Sequence, residues 1–135
     1  MRYKEVYLRE MQRRGIKYID VNDTHVKVRY NGDNTNEIEV NVIFNDDDTG
    51  FVALRCWSFG KIPENKRSLI INKCNELNAK YRWEKFYVDN DSDLAVGMDA
   101  ITDINTVGNF CIQLVSRMVN IYDEAFPELM RVLWS

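Results

Sequence analysis

Between two turn-forming segments, Ile38, Val40, Val42 and Phe44 alternate with Glu37, Glu39 and Asn41. A strict period of two sends every apolar side chain to one side of a strand. A register slip of one residue would turn them all to water, so the pattern demands a sheet with one dry face. The flanking segments, Asn31–Asn36 with its Asn-Gly and Asn45–Gly50 (NDDDTG), read as hairpin loops. Before them, Val26, Val28 and Tyr30 alternate with Lys27 and Arg29, and Tyr18, Ile19 and Val21 suggest a short strand ahead of the Asn22-Asp23 turn. After them, Phe51–Phe59 is apolar on both sides, with Phe51, Ala53 and Trp57 on one and Val52, Leu54 and Cys56 on the other. Such a strand is expected to be central or covered twice.

Helical periodicity brackets these strands. Residues 2–14 place Tyr3, Val6, Tyr7 and Met11 on one side and Arg9, Arg13 and Arg14 on the other, with Gly15 at the position of a C-terminal cap. The stretch from Lys61 to Ile101 forms one unit. Pro63 and Glu64 suit a helix start. Ile70, Cys74, Leu77 and Tyr81 then recur at spacings of four, three and four, with Ile71 beside them. Lys66, Lys73, Glu76 and Lys80 take the wet side, with Glu76 and Lys80 spaced for an ion pair. Trp83, Phe86, Tyr87 and Val88 suggest a strand, residues 89–93 (DNDSD) a turn, and Leu94, Val96, Met98 and Ala100 a half-buried strand with Asp93, Ala95, Gly97 and Asp99 on its wet face.

A last helix runs from Asn105 or Thr106 to Phe126. Val107, Phe110, Cys111, Leu114, Met118, Ile121, Tyr122 and Ala125 form its main stripe, and Ile112, Val115, Val119 and Phe126 widen the apolar arc to roughly 200°. One helix–core contact needs less. Either two sides of the helix are buried within the protomer, or one packs on the sheet and the other on a second subunit; the latter makes Ile112, Val115, Val119 and Tyr122 the interface candidates. Pro127 is expected to disrupt the helix, leaving Leu129, Met130, Val132 and Leu133 as an apolar tail that must dock.

These elements predict one domain over residues 1–135. Its class is α+β: a mainly antiparallel sheet of five to six strands with helices packed on it, in the order α-β-β-β-α-β-β-α. The pattern resembles the YbjN-like family of bacterial sensory-transduction regulators, whose domains have a fold similar to type III secretion chaperones. Four places carry the resemblance. They are Gly15-Ile16-Lys17-Tyr18 after the opening helix, Ile43-Phe44-Asn45-Asp46-Asp47 at an acidic turn, Ile62 to Arg67 leading to Leu77-Asn78 and Arg82 to Phe86, and Tyr122 to Leu129 at the end of the last helix. All are structural signatures. The resemblance implies no catalytic residues.

The residues themselves assemble little chemistry. His25 is the only histidine, so a zinc site would need Cys or carboxylates to converge on it. It reads as an ordinary strand-end histidine, with a nucleophilic pairing to Cys56 as the alternative. Asp46, Asp47 and Asp48 and the set Asp89, Asp91 and Asp93 could hold a cation. The second set, however, has Leu94 and Ala100 where a calcium loop has glycine and an acid, and turn chemistry explains both. No Gly-rich phosphate loop, GxSxG or HExxH occurs. Cys56, Cys74 and Cys111 are an odd set without CxxC, each on an apolar face, which suits free thiols in a reducing compartment. The charged N-terminus is unlike a signal peptide, and no run reaches the ~18 apolar residues of a membrane helix.

Net charge is −3, but it is segmented: +4 over residues 1–30, −5 over 31–60, +4 over 61–88 and −6 over 89–135. The segments can meet within the fold, meet across a dimer or simply line solvated faces. A basic middle helix (Lys61, Lys66, Arg67, Lys73, Lys80, Arg82, near Trp83) raises nucleic acid, but no binding signature accompanies it and the total charge is negative. The expectation is therefore a cytoplasmic, non-catalytic protein-binding module, chaperone-like or a regulatory adaptor. It needs no cofactor or metal and acts as a homodimer on an unidentified protein client, not on nucleic acid or membrane. The alternative is a small-molecule sensor or enzyme with a pocket between helix and sheet.

Overall fold

A computed structural model describes residues 2–135. Its sheet has six antiparallel strands: β1 (Ile19–Asp20), β2 (His25–Tyr30), β3 (Ile38–Phe44), β4 (Phe51–Lys61), β5 (Lys85–Val88) and β6 (Asp93–Ile101), in the spatial order β1-β2-β3-β4-β6-β5. Helices α1 (Arg2–Arg14), α2 (Arg67–Lys80, after a 3-10 turn at Glu64–Lys66) and α3 (Val107–Leu133) share one core with the dry face. The alternating residues reach that core as the sequence predicts: Val26, Val28, Ile38, Val40, Val42 and Phe44 are all buried. Each fully buried aliphatic side chain on this face contributes ~1.5–3 kcal/mol towards folding.

The ladder register assigns the opposite face. Lys27 pairs with Ile19 and Asn41, Asn41 with Arg55, Arg55 with Gly97, and Gly97 with Lys85. Directly paired residues point the same way. One row therefore crosses the whole sheet on the side away from the helices. Strand β4 is central, between β3 and β6, but it is not covered twice: Phe51 and Trp57 are exposed. On β6, Gly97 is covered rather than wet, because the Arg55 side chain lies across it and bonds the carbonyls of Leu54 (2.8 Å) and Met98 (3.3 Å).

Three local expectations are corrected. Ile71 faces solvent, because a 14-residue helix on a sheet edge needs only the Ile70, Cys74 and Leu77 stripe. Glu76 accepts from Lys73 at 2.7 Å, and Lys80 turns to Glu128 at 3.8 Å. Trp83 lies outside β5, exposed, at φ 79° in a left-handed turn before the strand.

The largest correction concerns Pro127, which sits inside α3 without ending it. Proline cannot donate to the carbonyl four residues back, which is that of Asp123. Here Asn34 Nδ2 donates to that carbonyl at 3.1 Å. The Asp123 carboxylate in turn accepts the backbone N–H groups of Asp33 (2.9 Å), Asn34 (2.8 Å) and Thr35 (3.0 Å). Gly32 permits the approach, since a Cβ there would lie 2.1 Å from Asp123 Oδ1. The helix continues, and Leu129 is fully buried as part of it rather than in a detached tail.

The charge segments meet within the fold. Lys61 pairs with Asp93, Lys73 and Lys80 approach Glu128, Arg2 approaches Asp48, and Arg29 binds Glu39 at 2.8 Å. Pairs this exposed are worth at most ~1 kcal/mol each, so they orient the elements more than they stabilise them.

The Asp123 arrangement predicts specific energetic coupling. Asn34→Ala should cost about 1 kcal/mol by orphaning a carbonyl, and much less in a Pro127→Ala background, where the helix can satisfy that carbonyl itself. Urea melts of the two single variants and the double variant measure the cycle; strict additivity would contradict the arrangement.

Candidate functional site

Two surfaces are exposed and apolar, and the candidate chemical groups read from the sequence, His25, the cysteines and the acidic clusters, do not come together with one another. His25 is on the open face of β2, where Nε2 meets Asn41 Oδ1 at 2.8 Å. Cys56 points to the dry face of β4, two strands away, so the two do not form a nucleophile–base pair. Burial raises all three thiols, Cys74 to about 11 and Cys111 to about 12, which keeps them protonated and unreactive. Asp89, Asp91 and Asp93 do converge. However, Asp89 Oδ1 accepts the N–H groups of Asp91 (2.9 Å) and Asp93 (3.0 Å), and Lys61 Nζ binds the Asp91 carbonyl at 2.8 Å. Those bonds are turn chemistry, with a lysine already supplying the positive charge.

Three of the four interface candidates on α3 are core residues. Val115 is 1% exposed, Tyr122 2% and Val119 8%, while Ile112 is half-buried. The wide apolar arc is real, but α1, α2 and the sheet all pack on α3 and consume it within the protomer. The apolar surface left over lies further along, past Pro127.

There, the loop after β2, the end of β4 and the last turns of α3 enclose a groove of about 390 Å³. Its floor is an aromatic cluster: Phe59 lies 5.5 Å from Phe126 and 6.5 Å from Tyr122, and Tyr122 lies 6.2 Å from Phe126. Met130, Leu133 and Trp134, the last 79% exposed, form one wall, and Thr35 and Asn36 belong to the other. Rings at these separations pack tilted or edge-to-face, which stiffens the floor. The polar lining is sparse, namely Thr35, Asn36, Ser58 and Lys61. That composition suits apolar side chains better than a charged metabolite.

The second surface is the open sheet face, with a hollow of about 710 Å³ bounded by Phe51, Ala53, Arg55, Asp99 and Ile101. The two edges of this sheet are blunted. On β5, the Asn78 side chain copies a neighbouring strand: Phe86 N donates to Oδ1 at 2.7 Å and Nδ2 donates to the Phe86 carbonyl at 3.1 Å. At the other edge β1 is two residues long, and Lys4 reaches over it to Asp20 and to the Asn22 carbonyl. Short or capped edges resist strand addition.

A family model described as "Putative bacterial sensory transduction regulator" matches residues 9–128. The chain belongs to the YbjN family. The crystal structure of YbjN from E. coli, a putative transcription regulator, resembles this YbjN-family chain at TM-score 0.65 and 10% identity, covering 93% of this chain and 92% of that one. A chain of the heterodimeric ExoU–SpcU complex of the Pseudomonas aeruginosa type III secretion system gives 0.60 and 14%, over 93% and 95%. The Yersinia pestis type III secretion chaperone SycH, in complex with a fragment of YscM2, gives 0.51 and 13%, over 88% and 98%. No curated protein matches the chain. At these identities the likeness establishes the fold, which is the secretion-chaperone-like α+β arrangement read from the sequence.

Sequence reasoning missed two functional-grade groups. Asp123 was legible only as part of a signature. Glu84 is buried at 3% exposure with neither carboxyl oxygen hydrogen-bonded. Desolvation lifts it from 4.5 to about 9, so it is held neutral. The folded state therefore keeps a proton that the unfolded chain releases above the ordinary carboxylate range. Stability from this group is full below about pH 4.5 and is lost as pH rises towards 9, by up to ~1.4 kcal/mol per pH unit. Glu84→Gln removes the titration, so its Tm advantage over the parent should grow from pH 5 to pH 8. Parallel Tm curves would mean that the carboxyl ionises in place.

Proposed function

We propose that this YbjN-family chain is a cytoplasmic, non-catalytic protein-binding module, chaperone-like or a regulatory adaptor, and that it acts as a homodimer. The groove past Pro127 carries the reading: a rigid floor of three rings and an exposed Trp134, left open with little polar lining. Such a surface gains free energy by covering apolar side chains of another polypeptide, at ~25 cal/mol per Å² removed from water. The resemblance to a secretion chaperone and to a chain of a secretion-system heterodimer supports this reading, since both of those structures are protein complexes.

The dimer is assigned to α2, where Leu69 and Ile71 are exposed on one helix and the interior does not use them. Of the α3 candidates, only Ile112 retains surface to contribute.

Crosslinking and mass spectrometry in the source cell tests the client reading. Met130→Glu with Trp134→Asp should deplete the crosslinked partners while leaving the melting curve nearly unchanged; an unaltered partner set would refute the groove. Size-exclusion with light scattering should show a dimer that Leu69→Asp with Ile71→Asp converts to monomer. A strict monomer at high concentration would remove the dimer.

A further inference from the structure

We propose that the open face of the sheet is a second docking surface, one that takes an acidic, apolar segment of a partner polypeptide. This goes beyond the groove, which lies on the helix side and is apolar without a strong charge.

The first observation is where the greasy surface lies. Of the nine large apolar side chains that are exposed among the described residues, the ladder register puts three on this face: Ile19, Phe51 and Ile101. Phe51 and Ile101 are direct cross-strand partners at one end of the sheet, and Ile101 is 69% exposed. They border the hollow, to which Ala53 also contributes. A bulky apolar side chain can be seated there with its neighbours still over the sheet.

The second observation is charge. The same face carries five cations, Lys27, Arg29, Arg55, Lys61 and Lys85, against three carboxylates, Glu39, Asp93 and Asp99. Glu39 is shared by Arg29 (2.8 Å) and Lys27 (3.5 Å), and Asp99 is held by Arg55 (2.8 Å). Lys85 has no carboxylate within pairing distance among the described residues. The face is therefore net +2 on a chain of net −3. Two copies packed face to face would set positive on positive, which disfavours self-association through this surface. A polyphosphate would meet Glu39 and Asp99 in the middle of the cationic row, so an acidic peptide with spaced carboxylates fits better than nucleic acid.

The third observation is the blunted edges. With Phe86 occupied by Asn78 and β1 covered by Lys4, an extended partner is directed to lie across the face and be read by side chains, not to extend the sheet.

The test uses the full chain and a fluorescein-labelled synthetic peptide of repeated Glu-Glu-Leu-Phe units. Controls are the same peptide with lysine for glutamate and a labelled single-stranded oligonucleotide. Anisotropy should report binding of the acidic peptide alone, weakening with added salt and falling about tenfold in Arg29→Glu with Lys85→Glu. Amide shifts in nitrogen-edited NMR spectra should fall on Ala53, Arg55, Asp99 and Ile101. The groove variant Met130→Glu should bind normally, which separates failure of this surface from failure of the groove. Four results overturn the proposal: no binding; equal binding of the lysine peptide; an oligonucleotide that displaces the acidic peptide; or Ile101→Asp turning a dimer into a monomer, which would make the face a self-interface.

Discussion

The Asp123 carboxylate and its carbonyl hold the rest of the structure in place. Three backbone N–H groups of the loop after β2 converge on the carboxylate, and Asn34 caps the carbonyl. Hydrogen bonds to a charged acceptor contribute about 1.5–3 kcal/mol each where water is excluded, more than any exposed ion pair in the protein. The arrangement does two things together. It fixes the loop whose Thr35 and Asn36 form one side of the groove, and it satisfies the carbonyl that Pro127 abandons. Because that carbonyl is satisfied, α3 continues long enough for Met130, Leu133 and Trp134 to form the other side. A break at Pro127 would leave a floor of aromatic rings and no groove.

Much of this was legible in the sequence. The alternations in β2, β3 and β6 gave the dry face, and the Asn- and Asp-rich turns gave antiparallel neighbours. What the sequence could not show is contact between distant residues. The rule that proline ends a helix was applied correctly, yet its cost was offset by Asn34, 89 residues away along the chain. The arc of α3 was measured correctly, yet which apolar residues another part of the chain covers is decided by α1, α2 and the sheet. The arc allows either burial within the protomer or an interface, and Val115, Val119 and Tyr122 are interior. Strand β4 is central, one of the two outcomes its apolar faces allow, and Phe51 and Trp57 on it stay exposed. Glu84 left no signal at all, because a single acid before a short strand looks the same whether buried or wet.

The places that carry the family resemblance also acquire a physical meaning. The Leu77-Asn78 pair provides one core side chain and the amide that closes the β5 edge. The segment Tyr122 to Leu129 contains two rings of the groove floor, the loop acceptor Asp123, and the proline whose missing N–H leaves the Asp123 carbonyl to be capped. These residues build the scaffold.

That division explains how a fold can be shared at 10–14% identity while the binding surfaces stay free to differ. The scaffold needs a handful of specific contacts: an edge amide, a loop acceptor, and a glycine where a Cβ would collide. Everything else on the dry face needs only to be apolar and of suitable volume, which many sequences satisfy. Away from Asn41, Arg55 and Gly97, the open face is under no such constraint from folding. Side chains there can be exchanged at little cost in stability, since exposed positions away from special contacts change it by only about 0.5 kcal/mol. The presence of Phe51 and Ile101 among cations on this face is therefore not required by the core. It leaves apolar area in water that folding could have avoided, which is what a surface held ready for another polypeptide looks like.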